Sequence, residues 1–551
     1  MKLSMLLAEA IQMVFGVEIE ATLTRPDPQF GDFATNVALQ LVKKIHDSSF
    51  AGPREIAEKI AEKLRESGDF AEVTVAGPGF INLRLTDAAL FNLATTHPKS
   101  SANDSTVVIE TNNPNPFKAM HIGHAFNAIL ADTLGNLLEA NGAHTYRVSY
   151  HGDVGAHVGK SMWALLRHVD GDASKLNDVP TGERNSFMSR MYAEGAKAYK
   201  EDEAAKAEID ELAKQSFTRE DSLYASVYET VFNWSFEQID ATVARLGNKP
   251  VIQRFLESEA DTRGVKIVRD NVPRVFQESD GALIFKGSDY GSFDNVFVNR
   301  NGQGLYAARD LGLIQLKNEQ YHPNKSYIVT AEEQKDYFKG VIAAAGLALP
   351  ELKDVTVNIP TGTVKLTTGK MSSRDGDVIE ISWLFDQVTE AIRARGGEPT
   401  DAVVAGALRY AFLKVRIGSD VVFDINESVS IQGNSGPYLQ YAHARACSIL
   451  EKANQTADVR PQMLDLSADE RALLRKIGEY NEVAEKAMTE LLPHHVCLYL
   501  YELAQEFNRF YEKCRIIGDE REVVRLELTT LYRDTLARGL RLLGIVAPPA
   551  M

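Results

Sequence analysis

TVVIETNNPNPFKAMHIGHAFNAILADTLGNLLEANGAHTYRVSYHGD, residues 106–153, is the stretch on which the reading of the fold turns. Thr106, Val107, Val108 and Ile109 form a short, largely β-branched run that suits a strand buried on both faces of a parallel sheet. A loop with two prolines follows, NNPNPFKAM. Apolar residues then recur at helical spacing from Ile122 through Ile129, Leu130, Leu134 and Leu137 to Leu138, and Asn141-Gly142 closes the pattern as a helix end does. HTYRVSYHGD (144–153) reads as a second strand. Strand, long helix and strand in this short span make a βαβ unit. That implies a parallel sheet with a ligand crevice at its carboxyl edge.

Outward from this unit the chain changes character. Residues 1–100 read as a small α+β domain, with helix-period stretches at about 2–14, 33–46 and 53–66 and short apolar runs such as VTVAGPGFINLRL. HPKSSANDS (97–105) is polar and suits a linker. Residues 160–300 are helical and charge-rich to about 248, then more strand-like, and read as an insertion in the sheet domain. Sheet signals return at KSYIVTA (325–331) and TVNIPTGTVKL (356–366). From about 383 the pattern is helical. The expected architecture is multidomain α/β: an N-terminal α+β domain over 1–100, a Rossmann-type parallel-sheet domain over 101–382 carrying the insertion, and an all-α bundle over 383–551.

Composition agrees with a soluble multidomain chain. At 551 residues, with 44% apolar and 25% charged side chains, it excludes a disordered chain or a fibre. No apolar run is long enough to span a bilayer, and the N-terminus lacks a signal-peptide pattern. Cys447, Cys497 and Cys514 fit neither a disulfide framework nor a CxxC zinc site, which points to a reducing, cytoplasmic setting. The net charge of −16 argues, as an average, against a nucleic-acid partner. Yet from residue 434 onward 15 basic side chains face 17 acidic ones, so the negative excess lies upstream and a local surface can differ.

Two clusters carry chemistry. His121-Ile122-Gly123-His124 follows a strand and opens a helix, where α/β sheets bind phosphates. Gly123 removes a side chain where a ligand needs close approach, and two imidazoles three residues apart can serve one polyphosphate. Lys370-Met371-Ser372-Ser373-Arg374 suits a loop that places cations and hydroxyls on a developing pyrophosphate. Taken singly, the first cluster reads as two cap histidines and the second as a solvated basic loop.

Together, PNPFKAMHIGH and GKMSSR resemble the two signatures of class I aminoacyl-tRNA synthetases, in the right order. GLYAARDLG (304–312), GNSGPYLQYAHARACSIL (433–450), FGDFATNVA (30–38) and GPGFINLRL (77–85) narrow the resemblance to the arginyl-tRNA synthetase family. The resemblance implies that ATP and L-arginine give arginyl-adenylate and pyrophosphate, and that the arginyl group then passes to tRNA(Arg). It also implies that tRNA is bound before arginine is activated. His121, Gly123, His124, Lys370, Met371, Ser372 and Ser373 match the family's ATP-binding residues, with His121, His124 and Lys370 catalytic. The class signature usually has a second lysine where this chain has Ser373. Many arginyl-tRNA synthetases carry one ahead of the histidine motif instead, and Lys118 matches that position; Arg374 is the alternative cation.

A guanidinium is a planar cation best held by carboxylates. Tyr306 and Asp310 match the family's guanidinium-side residues, and, being four apart, share a helix face. Without the motif, Asp310 would read as a surface carboxylate paired with Arg309. Glu110, Asn113 and Asn115 match residues that hold the amino and carboxylate ends of the substrate. Asp153 sits in a GDWGTQ-like segment that here departs at Val154 and His157, and Gln334 lies in the divergent TAEEQKDY. Tyr438, Gln440, Tyr441, His443 and Arg445 form a polar-aromatic stripe suited to unpaired anticodon bases, with Met551 nearby by the same resemblance. Magnesium is expected with ATP, with no protein ligand for it, and family members are usually monomeric. Cysteinyl specificity is disfavoured by the lack of zinc ligands, the editing synthetases by the short helical insertion. A non-catalytic RNA-binding descendant is disfavoured by the intact histidines and Lys370.

Overall fold

The computed structural model describes residues 3–45, 52–96, 104–367, 379–453 and 465–551. The chain forms two compact units, one of residues 1–98, 446–482 and 502–536, the other of residues 99–445, 483–501 and 537–551.

In the first unit, strands Phe33–Thr35, Phe70–Ala76 and Phe80–Leu85 form an antiparallel sheet with Phe80–Leu85 in the middle. The amphipathic helix Pro53–Arg65 buries Ile56, Ala57, Ile60, Ala61 and Leu64, a spacing that lines up one face. The stretch 33–46, expected as one helix, is a short strand followed by the short helix Val37–Leu41. The Thr35 hydroxyl takes the Val37 N–H and turns the chain between the two. Within this unit Arg471 pairs with both Asp32 and Asp87, and Arg521 and Arg525 neutralise the buried Glu470.

The second unit is built on five parallel strands ordered 356–361, 325–331, 106–110, 144–151 and 253–256 across the sheet. Numbered by sequence this is 5-4-1-2-3, the Rossmann order, and its direction reverses between Thr106–Glu110 and Lys325–Ala331. The strand Gln253–Leu256 comes from within the stretch read as an insertion and forms one edge of this sheet. The helix Ile122–Ala140 runs between the first two strands, as the apolar period requires, and buries most of its length. Helices Ala156–Val169, Arg184–Glu201, Glu203–Thr218 and Ser222–Arg245 fill the intervening stretch around their own apolar core.

Two further helices matter for the site. Glu257–Asp270 and Tyr306–Tyr321 pack with almost no space between their backbones. A Cβ on Gly264 would lie 1.7 Å from the Ala308 carbonyl oxygen, and one on Gly312 would lie 2.1 Å from that of Ala260. Only glycine allows this approach. It brings the first residue of one helix, Glu257, to the same cavity as Asp310 of the other.

Candidate active site

At the point where the strand order reverses, the carboxyl ends of the strands open into a cavity of about 530 Å³. Glu110, Asn113, Asn115, His124, Tyr306, Asp310 and Gln334 all line it, so residues spread over 225 positions of sequence share one wall system. Glu110 ends its strand buried, in an ion pair with buried Lys317 at 2.5 Å, and takes a hydrogen bond from Asn113 at 2.7 Å. Asn113 in turn accepts the Tyr150 N–H at 2.9 Å, and Asn115 accepts the Gly152 N–H at 2.9 Å. These two side chains stitch the proline-rich loop to the end of the second strand. The two helical residues Tyr306 and Asp310 do share a face, as their spacing requires.

Asp310 does not pair with Arg309. The Arg309 guanidinium turns to Glu257 and Asp261, both at 3.0 Å, while Asp310 accepts the Tyr337 hydroxyl at 2.5 Å. Burial pushes the Asp310 carboxyl up to about 7; the Tyr337 bond opposes this, and the nearby Glu257 and Glu110 add to it. Glu257 is also raised, by burial, against the pull of Arg309. Two carboxyl groups held up by burial in one cavity form a site that a cation would relieve.

Glu257, Tyr337 and Tyr150 line the same cavity and were not expected from the sequence. None belongs to a recognisable motif. Their one signal was position next to a strand end, in TAEEQKDY and VSYHGD for the two tyrosines. Asp153, by contrast, does not line the cavity. It is fully buried, pairs with Arg219 at 3.1 Å and accepts both the N–H and the hydroxyl of Ser258 at 2.9 and 2.7 Å. It thus caps the helix that starts at Glu257, and acts on the cavity through that residue.

His121 and His124 cap the 122–140 helix reciprocally. His121 Nδ1 accepts the His124 N–H and His124 Nδ1 accepts the His121 N–H, each at 3.3 Å, and the rings stack at 3.6 Å between centroids. A Cβ on Gly123 would crowd the His121 ring at 3.2 Å. Burial, with Lys118 nearby, pushes His121 down to about 4, and His124 is well below the ordinary histidine value for the same first cause. Both rings are therefore neutral, and because Nδ1 accepts in each, the proton sits on Nε2. The pair offers N–H donors without positive charge.

Lys118 is half-buried, and burial lowers its pKa against the attraction of Glu257. Its neighbour Phe117 sits at φ +66°, fully buried, with its N–H on the Ser235 hydroxyl and its carbonyl on that of Ser161. A bulky residue held in the left-handed region fixes the loop that carries Lys118. Lys370, Met371, Ser372, Ser373 and Arg374 lie outside the described residues. The described chain resumes beside the histidines: the Ile122 N–H donates to Ile379 and the Ile381 N–H to Met120.

The polar-aromatic stripe on helix Gly436–Lys452 does not form one outward face. Gln440 is fully buried and gives its side-chain N–H groups to the carbonyls of Ala402 and Val546. His443 is buried with Nδ1 on the Pro548 carbonyl, and Tyr438 is buried as well. Tyr441 and Arg445, four apart, carry the outward side, and Met551 is exposed. A helix of mixed polar residues reads alike inside or out when its partners are main-chain carbonyls distant in sequence.

A sheet in this order, with a histidine-capped helix at its switch point, is a nucleotide-binding arrangement, and the family match over residues 86–420 makes the chain a class I aminoacyl-tRNA synthetase. Residues 86–420 match the family of "tRNA synthetases class I (R), catalytic domain", residues 1–85 the "Arginyl tRNA synthetase N terminal domain", and residues 439–551 the "DALR anticodon binding domain". The chain is 30% identical to an arginine–tRNA ligase of Frankia casuarinae, over 96% of this chain and 94% of that one. It is 31% identical to another from Cutibacterium acnes, over 99% of each. Arginyl-tRNA synthetase structures from Thermus thermophilus and Plasmodium falciparum share its fold, with TM-scores of 0.82 and 0.79, identities of 24% and 21%, and coverage of 100% of this chain and 99% and 98% of theirs. The chain belongs to the arginyl-tRNA synthetase family.

Proposed function

We propose that this protein joins L-arginine to tRNA(Arg) in protein synthesis, as an arginine–tRNA ligase that uses ATP. The observation that carries the reading is the cluster of Asp310, Glu257 and Glu110 in one cavity with His124. The acidic end suits a guanidinium, and the histidine end suits the phosphates of ATP.

In the first step an oxygen of the arginine carboxylate attacks the α-phosphorus, and pyrophosphate leaves. In the second a hydroxyl of the terminal tRNA ribose attacks the arginyl carbonyl carbon, and AMP leaves. No enzyme nucleophile is needed, so orientation and charge stabilisation supply the rate. In this reading Asp310, with Glu257 beside it, holds the guanidinium, and Tyr306 covers it. Glu110, Asn113, Asn115 and Gln334 orient the amino and carboxylate ends. His121 and His124 direct Nε2–H groups at the phosphates, and Lys118 supplies the cation that Ser373 does not, alongside Lys370. Asp153 contributes by holding Ser258 and hence Glu257. Magnesium would arrive on the phosphates of ATP as part of the substrate; among the described residues no group of three or more His, Cys, Asp or Glu side chains offers it a protein site. In this reading Tyr441, Arg445 and Met551 are the members of the C-terminal set that meet tRNA, and the buried Tyr438, Gln440 and His443 support the surface from beneath. The enzyme is proposed to work as a cytoplasmic monomer. No helix among the described residues is long and apolar enough to cross a membrane.

The test is charging of bulk tRNA with each amino acid in turn, together with ATP–pyrophosphate exchange with and without tRNA. Arginine alone should be esterified, and exchange should appear with tRNA. Charging by another amino acid, or none by arginine, would overturn the reading.

A further inference from the structure

Tyr150 is the last residue but one of the second strand of the parallel sheet, His144–His151, and lines the same cavity as Asp310 and Glu257. Its hydroxyl oxygen is buried and has no hydrogen-bond partner among the described residues. That is costly: a buried polar group without a partner forfeits about 1–3 kcal/mol of solvation. The other tyrosine hydroxyl deep in this wall, that of Tyr337, is already committed to Asp310. Nor is Tyr150 a loosely held side chain. Its backbone N–H is tied to Asn113, Asn113 to Glu110, and Glu110 to buried Lys317. These bonds hold the backbone that carries the unsatisfied hydroxyl at the wall of an acidic cavity.

We infer that the Tyr150 hydroxyl is a specificity contact that accepts a hydrogen bond from the guanidinium of the bound arginine. The inference rests on the arginine reading of the cavity. A guanidinium has five N–H donors in a plane, more than Asp310 and Glu257 need to engage it, and a phenol oxygen accepts without adding charge. A further carboxylate in its place would add to the repulsion by which Glu257 and Glu110, after burial, hold the Asp310 carboxyl up. The end of the ligand follows from the surroundings. The phenol is kept neutral by burial, and the charges that act on it most strongly after that are Asp310 and Glu257, ahead of Glu110.

Tyr150→Phe separates this role from a structural one. A hydroxyl that supports the fold leaves a less stable protein when removed. An unsatisfied one leaves a protein that melts at or above the parent temperature in the absence of arginine. With tRNA present, the arginine KM in exchange should rise about tenfold, the size of one net hydrogen bond to a charged group, while the ATP KM stays unchanged. Inhibition by agmatine, which keeps the guanidinium and lacks the carboxylate, should weaken by the same factor. Parent-like affinity for both compounds overturns the inference, as does weakened arginine use with unchanged agmatine inhibition. A parent protein that fails to activate arginine removes the arginine reading and this inference together, which is distinct from a parent that succeeds and a variant that matches it.

Discussion

Arg409 and Leu543, 134 residues apart, meet in the core of the catalytic unit, where the Arg409 Nε–H donates to the Leu543 carbonyl at 2.9 Å. The other four N–H groups of the guanidinium go to the Leu246 carbonyl, the Asn248 side chain, Asp132 and Thr133. All five donors are used on a side chain with no exposure. Asp132 and Thr133 lie on the helix that begins at His121, so this one guanidinium ties the histidine helix to the segment near residue 543.

Arg409→Met should therefore destabilise the folded chain by about 3–5 kcal/mol, because it leaves the buried Asp132 with Arg147 as its one remaining cation. Gly544→Ala should also cost stability, since Gly544 has φ +69° and a Cβ there would lie 2.1 Å from the guanidinium. Urea unfolding monitored by tryptophan fluorescence reads both. A midpoint within error of the parent for Arg409→Met would show that the contact contributes nothing net.

Asp310 gives a pH dependence with a definite sign. Its carboxyl titrates near 7 in the free protein, and a guanidinium needs it ionised. Below pH 7 arginine binding must expel a proton, so the arginine KM should climb as the pH falls from 8 to 6 while the ATP KM stays level. The raised value also means that folding is favoured most at low pH in this respect. That contribution is lost as the pH rises from about 3.8 through about 7. Asp310→Asn should abolish both dependences and raise the arginine KM roughly 10- to 100-fold, the value of a charge-assisted bond of about 1.5–3 kcal/mol. Equal effects on arginine and ATP would place Asp310 outside the amino-acid pocket.

The histidines should behave otherwise. With His121 near 4 and His124 pushed well below the ordinary histidine value, both by burial, neither should gain charge near neutral pH, so neither should mark the pH profile of adenylate formation there. His121→Ala or His124→Ala should still lower that rate by about 10²–10³, the usual loss for one donor to a transition-state charge. Single-turnover adenylate formation in a variant with parent-like circular dichroism is the measurement, and an unchanged rate would refute the assignment.

Lys118→Ala should impair adenylate formation about as much as Lys370→Ala. Its half-buried amine and the rigid loop behind Phe117 make it a placed cation rather than a solvated one. If Lys118→Ala runs at the parent rate and Arg374→Ala does not, the second cation has been assigned to the wrong residue.

What could be read in advance, and what could not, divides along physical lines. The strand-helix-strand unit was visible because β-branched runs and a helical apolar period are local properties. Glu110, Asn113, Asn115, His124, Tyr306, Asp310 and Gln334 reached one cavity because a motif fixes where a residue lies relative to a strand end or helix start. Glu257 had no such marker. It arrives through the glycine-mediated approach of two helices, which is a tertiary fact. Asp153 stood in a recognisable segment, yet its carboxylate is spent on Ser258 and Arg219. Gln440 and His443, expected at anticodon bases, meet buried main-chain carbonyls instead, and nothing local distinguishes a side chain that meets a base from one that meets such a carbonyl.

The Arg409 junction also sets an order of events during synthesis. A growing chain makes the histidine helix, the sheet and Arg409 long before it makes residue 543. Until then one of the five guanidinium donors has no protein acceptor, and the helix bearing His121 and His124 lacks its tie to the end segment. Chains cut short ahead of that residue, by a premature stop or by proteolysis, would carry every motif residue and still hold an unfinished core. Synthesis as far as Leu543 is thereby written into the catalytic unit, and a fragment that stops short of it should be open to quality-control proteases where a chain that includes it is not.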